Sequence, residues 1–206
     1  MEEGILVSHG MLIPLKRLQE LGVDPQLILH VGAHEAEEKK YYDEIGWNNV
    51  IWVEANPAKV EKLRGMDLEV IQAAAYSHEC LLTFHESNLP ASSSIYDFDK
   101  HREKYGGIFM VKEYEVQAKT IDSFNLQPDF LVLDIQGAEL DALKGGVHTL
   151  EGVNWIYSEI SIERLYKNQA LEPELTNWLH NKGYKKVEQK LTKFGWGDAL
   201  YIKRGA

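Results

Sequence analysis

Residues 27–38 read LILHVGAHEAEE, an apolar run that reaches a glycine at position 32 and continues as a charged segment. Near-continuous apolar runs are typical of buried parallel strands, and the charged segment that follows favours a helix. The stretch therefore predicts a strand–turn–helix unit. In open α/β sheets ligands bind at the carboxyl ends of strands, so the turn at Gly32 is a candidate ligand site. The alternative is an ordinary strand-to-helix turn that happens to contain a glycine.

The same pattern recurs along the chain. Apolar runs predict further strands at 49–55, 68–75, 130–134 and 155–160, and most are followed by helix-forming segments. The last two predicted strands, 184–191 and 199–203, leave no room for a helix between them, so they should pair antiparallel at one edge of the sheet. The alternation of strands and helices predicts a doubly wound α/β fold.

The 206 residues fit one domain, residues 1–206, with a substantial core. Leucines at helical spacing from Leu12 to Leu21 predict an N-terminal helix region, residues 1–26. Residues 77–128 are less regular, with two alternating stretches that predict a pair of half-exposed strands. An insertion of this length is usually functional, and we expect it to cover the ligand site.

Composition narrows the range of functions. The net charge of −10 supplies no excess of cations, which argues against a general nucleic-acid or anionic-membrane binder. The single cysteine, Cys80, excludes an internal disulfide and suits a reducing compartment. The first residues lack the positive charge of a signal peptide, and no apolar run is long enough to span a bilayer, so we expect a cytoplasmic protein.

Charged side chains near the first two strands indicate the ligand class. Glu54 ends the second predicted strand, where an acidic side chain commonly holds a ribose diol; the alternative is a cap on the next helix. Glu35, Glu37 and Glu38 would crowd the start of the first helix and repel a pyrophosphate there. The positively charged S-adenosylmethionine would be attracted instead, unless these glutamates are surface residues that the helix dipole stabilises.

Four short motifs follow one another along the chain: HVGAH at 30–34, WVEANP at 52–57, LDIQGAE at 133–139 and LKG at 143–145. Together they resemble the FkbM family of S-adenosylmethionine-dependent methyltransferases, and the resemblance covers roughly residues 27–190 in the same order. It implies a Rossmann-like class I methyltransferase fold, with a mostly parallel seven-stranded sheet, an antiparallel edge hairpin and helices on both faces. It also implies O-methylation of a hydroxyl group on a sugar, a glycan or a small natural product.

The resemblance also implies roles for individual residues. The methionine part of S-adenosylmethionine would lie against the first turn, the ribose and adenosine against the end of the second strand, the adenine beside the third strand, and the methyl group near the fourth. The cofactor-binding residues implied in this way are Gly32, Ala33, His34, Glu54, Ala55, Asn56, Ala74, Ala75, Asp134 and Gln136. The chain departs from the general class I pattern at His30, His34 and Ala36, which replace an acidic residue and two glycines.

A methyl transfer to a hydroxyl group benefits from a base that accepts the proton of the acceptor. Candidates at this edge of the sheet are Asp134, His34 and Glu159, with His85 and His101 in the covering insertion. Asp134 has the best position, although a helix cap or a cofactor contact would also explain it. Glu159 has the alternative role of capping the turn that follows its strand.

The sequence also offers residues for a metal site and for other functions. His30 and His34 lie four residues apart but span a strand and a turn, and no third ligand follows at a typical spacing, so no metal site is predicted. Trp196, between two glycines, would either stack on a sugar or pack on the edge strand as a hairpin aromatic. The alternative functions are a nicotinamide-dependent oxidoreductase and a non-catalytic protein that binds S-adenosylmethionine. In each case we expect a small-molecule or glycan partner.

Overall fold

The computed structural model describes residues 10–205, except for the side chain of Arg102. Residues 1–9 of the predicted N-terminal region, and residue 206, lie outside this part of the chain. Within it, six α-helices are present: α1 Leu15–Glu20, α2 Lys39–Glu44, α3 Pro57–Gly65, α4 His101–Lys104, α5 Glu139–Lys144 and α6 Glu172–Asn181. Among residues 10–205, no helix is both long and apolar enough to cross a membrane.

The main sheet has seven strands, as the sequence predicted. They are β1 Ile28–Val31, β2 Val50–Glu54, β3 Val70–Gln72, β7 Phe130–Leu133, β8 Trp155–Ser161, β9 Tyr184–Leu191 and β10 Trp196–Lys203. Their order is β3-β2-β1-β7-β8-β10-β9. The first five in this order run parallel, whereas β10 pairs antiparallel with both β8 and β9. The predicted antiparallel pair at the edge is therefore confirmed.

Helices cover both faces of this sheet because its central strands are apolar on both sides. Leu29 and Val31 of β1 point to one core cluster, which includes side chains from α5 and α6. Ile28, on the same strand, belongs to a second cluster with side chains from α1, α2 and α3. The alternation of side chains along a strand thus divides the core into two layers.

The third predicted strand, residues 68–75, divides between two sheets. Val70–Gln72 joins the main sheet as β3, and the Ala73 N–H donates to the Glu54 carbonyl at 3.0 Å. The chain then leaves, and β4, Ala74–Ala75, pairs with β6 of a separate three-stranded sheet. The prediction of one continuous strand was wrong because an apolar run does not show where a chain changes partner.

The predicted pair of half-exposed strands within residues 77–128 is confirmed. β5, Cys80–Ser87, pairs antiparallel with β6, Met110–Lys119, in the order β4-β6-β5. The segment between β5 and β6 contains a 3-10 turn at Pro90–Ser92 and the short helix α4. This segment lies against the carboxyl ends of the main-sheet strands, since the His85 and Ser94 backbones form an isolated bridge and the Ser94 hydroxyl donates to the Gln136 carbonyl at 2.9 Å.

Candidate functional site

A cavity of about 670 Å³ opens at the carboxyl ends of β1, β2, β7 and β8. The segment between β5 and β6 forms part of its wall. The sequence-predicted residues that line it are Gly32, His34, Glu54, Ala55, Asn56, Ala74, Ala75, Asp134, Gln136 and Glu159. Ala33 is not among the lining residues, because its side chain is completely buried in the core cluster below the turn.

Gly32 is required by the contact between two strands. Its φ of +95° is unfavourable for other residues, and a Cβ at this position would lie 1.8 Å from the Asp134 carbonyl oxygen. The glycine therefore allows the end of β1 to approach the end of β7, which places both strand ends at the cavity.

Glu54, the last residue of β2, is only 8% exposed and lines the cavity. One carboxylate oxygen accepts from the Asn56 N–H at 2.7 Å, and the other accepts from the His34 N–H at 2.8 Å. Burial raises the pKa of this carboxyl. The two carboxylate oxygens together accept about four hydrogen bonds, and the backbone N–H groups of Asn56, His34 and Ala55 act on them, so acceptor capacity remains for a ligand.

The turn after β1 differs from the prediction. His34 and Ala36 have φ values of +46° and +55°, so helix α2 begins only at Lys39. Glu35 pairs with two lysines of α3, Lys59 at 2.5 Å and Lys62 at 2.6 Å, and these hydrogen bonds lower its pKa to about 2. The prediction of three glutamates at a helix N-terminus is therefore wrong for Glu35, which pairs with α3, whereas Glu37 and Glu38 directly precede α2 and Glu38 is its N-cap residue.

The other two glutamates of that turn do line the cavity. The Glu37 carboxylate and the His34 Nδ1 share a hydrogen bond of 2.7 Å. Glu38 lies deeper, with its side chain 12% exposed, and burial raises its pKa to about 8. Two carboxyl groups thus line the cavity directly before the first residue of α2.

Asp134, directly after β7, faces the cavity, and Gln136 connects it to Glu159 at the end of β8. The Gln136 amide nitrogen donates to Asp134 at 2.7 Å and to Glu159 at 2.9 Å, and its amide oxygen accepts from the Tyr166 hydroxyl at 2.8 Å. The reversed amide would place its oxygen against two carboxyl groups, so these partners fix its orientation. The structure therefore brings together two of the three predicted catalytic residues.

The Asp134 and Glu159 carboxyls accept from the same amide nitrogen, so they lie close together and ionisation of one disfavours ionisation of the other. Desolvation by the surrounding protein raises the pKa of Asp134, although this residue is exposed in the open cavity, and burial together with the neighbouring Asp134 raises the pKa of Glu159 well above its ordinary value. Glu159 is therefore the group that keeps the proton, and Asp134 is the one that ionises first.

Two more carboxyl groups extend this cluster. Asp198 of β10 lies opposite Glu159 in the strand register, lines the cavity, and accepts from the Tyr157 hydroxyl and the Leu12 N–H. Burial raises the pKa of Asp198 to about 7, and that of Glu139 to about 7. Glu139 accepts from two backbone N–H groups of the turn after β7, so it holds that turn in place.

His30 is a core residue. It is 2% exposed, its ring centroid lies 4.7 Å from that of Trp52, and its Nδ1 is 3.1 Å from the Tyr42 hydroxyl. Its Nε2 lies 4.0 Å from Glu38, yet burial lowers the pKa of His30 to about 3 while it raises that of Glu38. The pair is consequently neutral near pH 7 rather than an ion pair. Within residues 10–205, no group of three or more His, Cys, Asp or Glu side chains is arranged to hold a metal ion.

Asn56 and the two alanines occupy the adenosine side of the predicted site. The Asn56 side chain accepts from the Ala58 N–H at 3.0 Å and so caps α3, in front of Pro57 in the first turn. Ala74 and Ala75 are buried and line the cavity from β4 rather than from the third strand of the main sheet.

Sequence reasoning missed two parts of the cavity wall. Asp198 lies on an antiparallel strand far along the chain, where a single carboxylate in an apolar run was the only signal. Tyr105, Tyr166 and Phe194 come from three separate segments, and with Trp196 they form one aromatic wall of the cavity. The sequence predicted that Trp196 either stacks on a sugar or packs on the edge strand. In the structure its Nε1–H donates to the Tyr105 hydroxyl at 2.9 Å.

The sequence of this chain is similar to those of known methyltransferases. The family model described as the methyltransferase FkbM domain matches residues 30–186. A curated relative, the 2-O-methyltransferase NoeI of Sinorhizobium fredii, is 25% identical over 114 residues, which is 50% of this chain and 47% of that protein. The match thus spans about half the length of that relative.

Solved structures resemble the fold. The magnesium protoporphyrin IX methyltransferase of Synechocystis PCC 6803, solved with bound S-adenosylmethionine, has a TM-score of 0.52 at 10% identity, over 90% of this chain and 74% of that one. The N-terminal domain of EvdMO1, solved with S-adenosylhomocysteine, has a TM-score of 0.53 at 10% identity, over 100% of this chain and 85% of that one. At these identities the likeness concerns the fold.

Proposed function

The chain belongs to the FkbM methyltransferase family, and we propose that it transfers the methyl group of S-adenosylmethionine to a hydroxyl group of a sugar, glycan or small natural product. The observation that carries the proposal is the Glu54 carboxylate. It is buried at the end of β2, it lines the cavity, and its two oxygens keep acceptor capacity beyond their backbone partners. A ribose offers two adjacent hydroxyl donors, which suit a carboxylate acceptor.

The electrostatics of the cavity fit the same cofactor. S-adenosylmethionine supplies an electrophilic methyl group on a positively charged sulfur, and it also carries an ammonium group. Glu38, Asp134, Glu159 and Asp198 lie around one part of the cavity, and their pKa values are raised. A cation stabilises the ionised forms of such carboxyls, whereas a pyrophosphate would be repelled by them. This argues against a nicotinamide dinucleotide in the same place.

The cofactor-binding assignments follow from these contacts. Glu54 would hold the ribose hydroxyls, with Ala55 and Asn56 beside the adenosine. Ala74 and Ala75 offer small side chains for an adenine ring. Gly32 and His34 of the turn after β1 would contact the methionine part, together with Asp134 and Gln136.

Asp134 is the residue we assign as general base. Its pKa is raised less than that of the neighbouring Glu159, so it ionises first, and the Gln136 amide donates to it and fixes its orientation. An ionised Asp134 can accept the proton of an acceptor hydroxyl as the new bond forms. In this scheme Glu159 holds a proton and stabilises the charge on Asp134. His34 has a smaller role here, because its Nδ1 and its N–H are engaged with Glu37 and Glu54.

The choice of oxygen as the atom that receives the methyl group is supported by the similarity to NoeI, which is described as a 2-O-methyltransferase. An ionisable carboxylate beside the site suits a hydroxyl acceptor, which must lose a proton during the reaction.

The test is to incubate the protein with S-adenosylmethionine labelled in the methyl group and a panel of glycosides and hydroxylated natural products. We expect label in a base-stable ether, located on oxygen by mass spectrometry. Label on nitrogen or carbon would contradict O-methylation. Thermal stabilisation by NADH but not by S-adenosylhomocysteine would instead support an oxidoreductase, and tight S-adenosylhomocysteine binding without any transfer would indicate a non-catalytic binding protein.

A further inference from the structure

Residues 10–13, which we call the strap, precede α1 and lie at the cavity. They form no helix or strand, and Gly10 lines the cavity. A recess of about 10 Å³ adjoins the cavity, and Gly10 and Met11 both line it. The cavity and the recess share four carboxyl-bearing side chains, namely Glu38, Asp134, Glu159 and Asp198. The strap therefore lies over the part of the cavity where the carboxyl groups are gathered.

Polar side chains from β8, β9 and β10 hold the strap in place. The Leu12 N–H donates to the Asp198 carboxylate at 2.6 Å, and the Ile13 N–H donates to the Tyr157 hydroxyl at 3.2 Å. The Tyr157 hydroxyl itself donates to Asp198, and the Lys190 ammonium donates to the Leu12 carbonyl at 3.1 Å. Because Asp198 also lines the cavity, one carboxylate connects the strap to the ligand space.

The strap has a firm apolar anchor only at its last residue. Ile13 is 2% exposed and belongs to the core cluster that also contains side chains of α1, whereas Gly10, Met11 and Leu12 are partly exposed. Met11 packs against the surface of that cluster, and its sulfur accepts from the Tyr42 hydroxyl at 3.6 Å. Segments held by few buried apolar contacts open locally at a small cost in free energy. The hydrogen bonds to the three strands therefore decide how much of the time residues 10–12 are docked.

The charge of Asp198 responds to what fills the cavity. Burial raises the pKa of Asp198 to about 7, although the hydrogen bonds from Tyr157 and from the Leu12 N–H lower it. Among the charged neighbours, Asp134 raises this pKa and Lys190 lowers it. Two more carboxyls that interact electrostatically with Asp198 are Glu38 and Glu159.

A cation in the cavity would stabilise the ionised form of Asp198. An ionised carboxylate is a stronger hydrogen-bond acceptor than a neutral carboxyl group. Occupancy of the cavity by a positively charged ligand should therefore strengthen the hydrogen bonds that Asp198 accepts from Leu12 and Tyr157.

We propose that the strap docks over the bound methyl donor, and that Asp198 is a positioning residue that couples this docking to the occupancy of the cavity. Coupling between two sites is reciprocal, so the strap, when docked, strengthens donor binding by the same factor by which the donor strengthens docking. The inference rests on the proposed function, because it takes the positively charged S-adenosylmethionine as the ligand of the cavity.

The first test measures docking of the strap in the full chain by amide hydrogen exchange, read at single residues by mass spectrometry. The probes are S-adenosylhomocysteine and S-adenosylmethionine, which differ by one methyl group and one positive charge. We expect saturating S-adenosylhomocysteine to slow exchange at the Leu12 and Ile13 amides by about 5-fold or more, the lower end of typical coupling between two sites, and S-adenosylmethionine to slow it further. The amides of Gly22 and Val23, which donate to carbonyls of α1, are the internal control and should not change. Unchanged exchange in the strap at saturation, or no larger effect of S-adenosylmethionine, overturns the proposal.

The second test uses two variants that loosen the strap at residues outside the lining of the large cavity. Tyr157→Phe removes the hydroxyl between Ile13 and Asp198, and Lys190→Met removes the ammonium that donates to Leu12. Lys185→Met, at another exposed position of β9, is the matched control for Lys190→Met. We expect both variants to speed exchange at the strap amides and to weaken S-adenosylhomocysteine binding by about 2- to 10-fold, the range of one hydrogen bond, and the control to do neither.

Faster exchange in the strap with unchanged S-adenosylhomocysteine affinity overturns the coupling. Unchanged exchange in both variants shows that packing alone holds the strap, and this overturns the proposal as well. Thermal melts check that the variants fold, and the surface variant Lys190→Met decides alone if the buried change Tyr157→Phe prevents folding. Failure of the unsubstituted protein to bind S-adenosylhomocysteine refutes the proposed function instead, so the two failures are distinguishable.

Discussion

Replacing Glu54 by alanine tests the proposed ribose contact. A hydrogen bond to a charged group contributes about 1.5–3 kcal/mol. The Glu54 carboxylate accepts from the backbone N–H groups of His34 and Asn56 and keeps acceptor capacity for a ribose hydroxyl. Because about 1.4 kcal/mol corresponds to a tenfold change in affinity, Glu54→Ala should weaken S-adenosylhomocysteine binding by about 10- to 150-fold.

The same substitution also leaves two backbone N–H groups without an acceptor, which should lower the free energy of unfolding by about 1–3 kcal/mol. Titration calorimetry well below the melting temperature separates this effect from the loss of binding. Glu54→Gln keeps one acceptor oxygen and should show an intermediate affinity. The matched control is Glu61→Ala, at an exposed position on the helix that follows β2, where no change is expected. A folded Glu54→Ala protein with unchanged affinity would refute the ribose assignment.

Three further predictions concern the remaining parts of the site. Between pH 6.5 and 8.5 the free energy of unfolding should fall as pH rises, because the folded-state pKa of Glu38, about 8, lies far above the pKa of a glutamate in the unfolded chain; in denaturant titrations Glu38 should account for about 2 kcal/mol of the loss, and this share should be missing in Glu38→Gln. Gly32→Ala should lower the melting temperature strongly or prevent folding, since its Cβ would lie 1.8 Å from the Asp134 carbonyl oxygen; a thermal melt like that of the unsubstituted protein would contradict this. Tyr166→Phe frees the Gln136 amide to turn, and should lower kcat about tenfold with little change in S-adenosylhomocysteine affinity; an unchanged kcat would remove Tyr166 from the network.

The direction of the pH effect follows from proton uptake. Above pH 6.5 the imidazoles of His30 and His101, with pKa values lowered to about 3 and about 4, are neutral in the folded state and largely neutral in the unfolded one. The pKa values of Glu38, Glu139 and Asp198 are raised, so these carboxyls still bind protons in the folded state at that pH. In the unfolded chain the same carboxyls are ionised. Stability therefore decreases with pH as these groups ionise.

The sheet could be predicted from the sequence because its central strands are buried on both faces. Such strands read as apolar runs, and polar residues such as Glu54 and Asp134 stand out where the runs end. The parallel direction of the central strands followed from the alternation of strands and helices. The antiparallel edge followed from the lack of a helix between the last two strands. Ala33 was misplaced because a pattern of small residues does not tell which side of a turn faces the ligand.

Other features depend on tertiary contacts that leave no local signal. His34 and Ala36 adopt positive φ values, which delay the start of α2, although both residue types are ordinary in helices. Asp198 reaches the cavity only because β10 pairs with β8 and places it opposite Glu159. The aromatic wall likewise joins segments that are distant in the chain.

The central claim is that this cavity binds the methyl donor, and the most direct measurement is isothermal titration of the unsubstituted protein with S-adenosylhomocysteine. The account predicts saturable binding of one molecule per chain, stronger than that of NADH. Absence of binding up to millimolar S-adenosylhomocysteine, with circular dichroism showing folded protein, would contradict it.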